Sequence, residues 1–274
     1  MARGESVGVV VLYPELLGTY GDVGNALVMV ERLRSDGYSP KLIAVHVGDP
    51  IPHDGDFYLL GGGEDGPQTQ AAELLATSGG LARAKEHGAI IVGVCAGLQV
   101  LSQVFIGAQG RPHEGLGLLS AETVIMGQPR AVGELLARPR IDCGQEFFSG
   151  YENHRSGTVL FGDARPLGDV VAGTGNLRGA AVEGALEGNV ICTYLHGPAF
   201  ARNPGLVDYV LRMRVELSDR GAAVNGDMVR TAQHRLLNER VSAVHQELIH
   251  GSSRSMVQLW HRLRRRLGGE RSYR

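Results

Sequence analysis

The chain has 274 residues, 43% of them hydrophobic, and a nearly balanced net charge of −2. That is enough for one large domain or two modest ones with a full core. It gives no global field for nucleic acid, and no apolar run reaches the length of a membrane span. Cys95, Cys143 and Cys192 form neither a disulfide framework nor a metal-ligand spacing. The thiols therefore read as reduced, the chain as cytoplasmic, and no metal is expected. Met1 to Glu5 runs directly into a strand without a signal-peptide layout.

In chain order, Val7 to Tyr13 is a β-branched run that reads as a strand ended by Pro14. A loop from Glu15 to Gly24 follows, and Asp22 or Asn25 can cap a helix carrying Ala26, Leu27, Val30 and Leu33. Lys41 to Val47 and Asp56 to Leu60 read as the next strands, the latter ending in Gly61-Gly62-Gly63. A helix is expected from about Gln68 to His87. Ala89 to Val94 is a buried strand that runs into Gly-x-Cys-x-Gly and then Leu98, Val100, Leu101 and Val104, which read as a helix. Strands alternating with helices imply a parallel sheet covered on both faces, with sites at the carboxyl ends of its strands.

Between Gly107 and Val190 the segments become short and turn-rich. Thr123–Met126, Gln145–Ser149, Gly157–Leu160, Val170–Ala172 and Ala180–Leu186 read as strands of a mostly antiparallel portion. Val190 to Leu195 is a further buried strand ending in His196-Gly197-Pro198, and Asn203-Pro204 opens a helix. The reading divides the chain into a domain over 1–217 and a helical extension over 218–274 with an arginine-rich end. That basic end is a solvated helix face, or it docks to a partner or to anionic lipid.

The strand–Cys95–helix arrangement has the layout of a nucleophile elbow with Cys in place of Ser. The glycines permit the tight reversal and a close approach by another segment. The helix's positive end favours a thiolate held there, and the N–H of Ala96 would face a substrate carbonyl oxygen. A buried structural Cys is the alternative. His196, at the end of a buried strand on the same edge, is the candidate base among ten histidines.

Cys95-Ala96-Gly97-Leu98-Gln99, Gly61-Gly62-Gly63 and the late His196 resemble class I glutamine amidotransferase domains. Gly150-Tyr151-Glu152-Asn153-His154 with Gly157-Thr158 is similar to the branch found in cobyric acid synthases. Leu12-Tyr13-Pro14, Tyr20-Gly21-Asp22-Val23-Gly24-Asn25, Gly61-Gly62-Gly63-Glu64-Asp65 and Tyr194-Leu195-His196-Gly197-Pro198 resemble the glutaminase subunits (GatD type) of lipid II isoglutaminyl synthases. The resemblance spans roughly residues 7–215. It implies an α/β class I glutamine amidotransferase fold and hydrolysis of L-glutamine through a Cys95 thioester. The oxyanion would be held by the N–H groups of Gly62 and Ala96. Arg130, Gln99, Asn153 and His154 would bind substrate, Arg130 as a fork for a carboxylate.

The resemblance also implies a Mur-ligase-like, ATP-dependent partner (MurT type) in a heterodimer. That partner would use the ammonia to convert the α-carboxylate of D-glutamate in the lipid II stem peptide to D-isoglutamine. This chain would need no cofactor, with ATP and Mg on the partner, and the complex would work at the inner face of the membrane. No phosphate-binding Gly-x-x-x-x-Gly-Lys-[Ser/Thr] pattern occurs here. One departure stands out. Class I domains carry a Glu two residues after the catalytic His, and here that residue is Pro198. Either another acid of this chain or, as the resemblance favours, an Asp of the partner must complete the triad. A corrinoid-type acceptor, a non-catalytic docking subunit and a Cys hydrolase remain as rival readings.

Overall fold

A computed structural model describes residues 5–127 and 129–218. The expected extension, its basic end and the boundary at 217/218 depend on positions outside the described residues. The first half alternates as expected: β1 (Ser6–Leu12), α1 (Val23–Ser35), β2 (Ser39–Val45), β3 (Phe57–Leu60), α2 (Asp65–Ser78), α3 (Gly80–Glu86), β4 (Ile90–Val94) and α4 (Ala96–Leu101). The single helix expected over 68–87 is two. Gly79 sits at φ 58°, a left-handed conformation that ends α2 and starts α3 on a new axis.

The middle of the chain is short strands: β5 (Val104–Ile106), β6 (Pro112–Glu114), β7 (Ala121–Ile125), β8 (Ala131–Pro139), β9 (Phe148–His154), β10 (Ser156–Leu160), β11 (Gly168–Ala172), β12 (Val182–Glu183) and β13 (Ala185–Glu187). Val104, expected in the helix after Cys95, instead begins β5, because Ser102 is extended and ends α4 at Leu101. The expected strand over 145–149 begins only at Phe148, and β8 was not expected at all. β14 (Val190–Thr193), α5 (Ala199–Arg202) and α6 (Pro204–Ser218) close the described chain.

The strands form three sheets. The central one has the order β13-β14-β4-β3-β1-β2 and is parallel throughout except for β13. β3 and β4 are buried at every residue, as expected for strands covered on both faces. The two four-stranded sheets, β10-β7-β5-β6 and β12-β11-β8-β9, are mostly antiparallel and form the expected second portion. Arg32 holds α6 against α1 through a two-pronged bond to Asp208, 2.7 Å on each prong. Among the described residues, no helix is long and apolar enough to cross a membrane.

This topology places four chain segments at one edge. β1, β3, β4 and β14 are parallel, so the turns leaving their carboxyl ends emerge together. Those turns carry Tyr20 and Asp22, Gly61 to Gly63, Cys95, and His196. The β8–β9 hairpin joins them, because Tyr151 and His196 exchange backbone hydrogen bonds of 3.1 and 2.8 Å.

Candidate functional site

Cys95 sits at φ 51°, ψ −101°, between the last residue of β4 and the first of α4. A non-glycine residue there is strained by roughly 1–3 kcal/mol, and such strain persists only where the surroundings enforce it. The enforcement is visible. Cys95 N–H donates to Thr193 O at 2.9 Å, and Gly97 N–H donates to Gly61 O at 3.1 Å. A side chain at Gly97 would collide with the Leu60 carbonyl. The glycines therefore permit the close approach that the sequence implied.

His196 is 2% exposed and its backbone is fixed by Tyr151. Its Nδ1 lies 2.9 Å from Asp22 Oδ2. Its Nε2 is buried with no hydrogen-bond partner among the described residues, while the imidazole interacts electrostatically with Cys95. Burial lowers the pKa of the imidazole, but the bond to Asp22 and the electrostatic interaction with Cys95 outweigh it and push the value up to about 10. At neutral pH His196 is then an imidazolium. Cys95, His196 and Asp22 make a nucleophile–imidazole–carboxylate triad from three separate turns.

Asp22 is what the sequence reading missed. It is the N-cap residue of α1, yet its side chain makes no capping bond. Instead Oδ2 accepts from both His196 Nδ1 and Gly62 N–H, the latter at 2.8 Å. An acid of this chain, one of the two sources left open by Pro198, thus lies against the imidazole. Pro198 explains the geometry: its ring packs on the bare face of Gly24 at the start of α1, beside Asp22. The signals available were an acid in the turn after β1 and the missing Glu at 198.

The remaining expected residues divide. Gly62 N–H, expected in the oxyanion hole, is spent on Asp22. Gly62 also lies so close to the imidazole that a Cβ there would stand 2.6 Å from His196 Cε1. Ala96 opens α4 beside Cys95, so its N–H is among the first-turn donors that a helix leaves free. Arg130 is exposed and donates to Asn153 O at 3.3 Å, while Asn153 Nδ2 donates to Tyr20 OH at 3.1 Å. The Tyr20 ring lies 4.5 Å from that of His196, so Arg130, Asn153 and Tyr20 rim the triad.

Gln99 and His154 do not present free side chains. Gln99 is buried, with Oε1 accepting from Gln68 and Nε2 donating to Tyr194 OH. His154 turns inward because its alternation on β9 points it at the core. It stacks on Tyr194 at 4.0 Å and bonds Ser156 O and Glu152. Both brace the floor of the site. Below them Glu183 is fully buried, accepting from Thr193 Oγ1 and Tyr194 N–H. Burial raises its pKa to about 7 against the lowering effect of those bonds.

Comparison with known proteins agrees with this geometry. Residues 8–204 match the CobB/CobQ-like glutamine amidotransferase domain. The chain is 32% identical over 197 residues to the GatD subunit of the glutamine-hydrolysing lipid II isoglutaminyl synthase of Streptococcus pneumoniae, covering 71% of this chain and 75% of that one. It is 30% identical over 205 residues to the GatD subunit of Staphylococcus aureus, covering 73% and 81%. A solved glutamine amidotransferase has the same fold at 20% identity, with a TM-score of 0.51 over 76% of this chain and all of the other. The chain belongs to the CobB/CobQ-like family of class I glutamine amidotransferases.

Proposed function

We propose that this chain is the glutaminase subunit of a lipid II isoglutaminyl synthase. The observation that carries the reading is the Cys95–His196–Asp22 triad, built at one sheet edge of a chain similar to GatD along most of its length. Glutamine enters with its side-chain amide at Cys95. The thiolate attacks the amide carbon, and the oxygen takes the negative charge. Ala96 N–H supports that charge, since Gly62 N–H is held by Asp22. The imidazolium of His196 gives its Nε2 proton to the departing nitrogen, and ammonia leaves a γ-glutamyl thioester. Neutral His196 then takes a proton from water, whose oxygen attacks the thioester. Collapse returns the thiolate and releases glutamate. Asp22 holds the Nδ1–H throughout and favours the charged ring.

Arg130 is suited to the α-carboxylate of glutamine, since its guanidinium stands exposed on the rim beside Asn153. None of these steps uses a cofactor. The ammonia goes to a Mur-ligase-like, ATP- and Mg-dependent subunit that amidates the α-carboxylate of D-glutamate in the lipid II stem peptide, at the cytoplasmic face of the membrane. Because Asp22 already serves His196, the partner is needed for the acceptor and not for the triad.

Reconstitution tests this. With the Mur-ligase-like subunit, ATP, Mg and glutamine, lipid II gains one amide per molecule. Cys95→Ala abolishes the glutamine-dependent gain, and added ammonium restores it. Glutamine-dependent amidation that survives Cys95→Ala would sink the reading, and ammonia release without lipid II amidation would move the acceptor to another carboxylate.

A further inference from the structure

Asp22 uses only one of its oxygens. Oδ2 takes both His196 Nδ1–H and Gly62 N–H, while Oδ1 is buried with no hydrogen-bond partner among the described residues. One turn further along α1, Asn25 is in the complementary position. Its Oδ1 accepts from Phe200 N–H at 2.9 Å, which fixes the orientation of the amide. Its Nδ2 is then a buried donor, also without a partner among the described residues. Asp22 is 3% exposed and Asn25 1%. Both line one small cavity of about 10 Å³, whose other walls include Val11, Leu60, Val92 and Val94. That volume matches one water molecule, and a site for water requires both room and polar partners.

We propose that Asn25 is a positioning residue of the triad, acting on Asp22 through a single bound water in this cavity. The water accepts from Asn25 Nδ2 and donates to Asp22 Oδ1. An acceptor and a donor that do not bond each other are satisfied together, in a pocket otherwise largely apolar. The bond stops the carboxylate from rotating, so Oδ2 stays aimed at His196. Asn25 also ties α1 to Phe200 in α5, four residues after His196. One amide thus registers the helix carrying Asp22 to the segment carrying the imidazole. The pocket is too small for glutamine and lies behind the triad, away from the Tyr20–Arg130 rim.

This inference rests on the glutaminase reading, and two independent measurements test it. A crystal structure of the complex is expected to show density for one water within hydrogen-bond reach of both Asp22 Oδ1 and Asn25 Nδ2; a direct bond between the two side chains, or no density there, would overturn the proposal. The kinetic test uses Val92→Ile, which adds one methylene to the cavity wall and touches neither Phe200 N–H nor a reacting atom. Loss of the water is expected to lower kcat for glutamine hydrolysis about tenfold with KM within about twofold, because the imidazole is misaimed while the glutamine rim is intact. A purely structural cavity would be filled with unchanged kcat and equal or higher thermal stability. Asn25→Ala provides the second variant should Val92→Ile fail to fold, with the same expected split between kcat and KM. Unchanged kcat in the variant that folds overturns the proposal. Silence of the wild type in the same assay would instead sink the glutaminase reading, and the water would then be judged by its density alone.

Discussion

Replacing Asp22 by Asn removes one charge and little volume. The amide can still accept one hydrogen bond, but His196 loses its anionic partner and Gly62 N–H competes for the same oxygen. The rise of the imidazole from 6.5 to about 10 corresponds to roughly 5 kcal/mol in favour of its charged form. That preference is what survives after burial has opposed it, and Asp22 and Cys95 supply it together. If Asp22 carries about half or more, its loss costs on the order of 3 kcal/mol, or roughly a hundredfold in the acid–base steps. Two assays read this. Ammonia release from glutamine should fall by about that factor, alone and in complex with the Mur-ligase-like subunit. Alkylation of Cys95 at neutral pH should slow in parallel, because the sulfur loses the charged imidazole it interacts with. The sign of the pH dependence follows. The stabilisation from charged His196 is complete below its unfolded value of 6.5 and is lost as pH climbs through about 10. In the wild type, alkylation and turnover should therefore change near pH 10, and in Asp22→Asn that step should move down. An Asp22→Asn complex within about threefold of wild type, with unaltered alkylation, would refute the assignment and return the third carboxylate to the partner.

Three further outcomes follow from particular side chains. Arg130→Ala should raise KM for glutamine at least about tenfold with a smaller effect on kcat, measured by ammonia release; a pure kcat loss would remove Arg130 from substrate binding. Glu183 holds its proton up to about pH 7 in the fold but only to 4.5 when unfolded, so stability should fall as pH rises from 4.5 through 7, by on the order of 3 kcal/mol. Glu183→Gln should flatten that slope in melting curves at pH 5 and pH 8, and an unchanged slope would point to another buried group. Gly97→Ala sets a methyl against the Leu60 carbonyl and should cost about 1–3 kcal/mol in denaturant unfolding, together with most of the activity.

Much of the site was legible because it is local. A β-branched strand entering Gly-x-Cys-x-Gly states its own geometry, and the strained Cys95 lies where that pattern put it. The turns after β3 and β14 were likewise read correctly as partners on one edge, since parallel strands share a direction. Asp22 was not legible. In sequence it has the signature of a helix cap, and its true partner is 174 positions away. Only the fold decides between Gly62, His196 and its own helix. The inward turn of His154 was hidden for a related reason. β9 was expected over 145–149 rather than Phe148–His154, so the alternation that buries residue 154 could not be applied. β8 escaped because Gly133 and Glu134 interrupt its apolar pattern, although its partner β9 supplies the register. The helix expected over 68–87 breaks at Gly79, whose left-handed conformation the apolar spacing on either side does not reveal.

The central claim is that Cys95, His196 and Asp22 of this one chain hydrolyse glutamine. Ammonia release from L-glutamine by the wild type and by Cys95→Ala, His196→Ala and Asp22→Asn, each with and without the Mur-ligase-like subunit, tests it most directly. The account predicts turnover by the wild type in both settings, none for Cys95→Ala, and deep losses for the other two whether or not the partner is present. Turnover that survives Cys95→Ala, or an Asp22→Asn defect that the partner fully repairs, would contradict it.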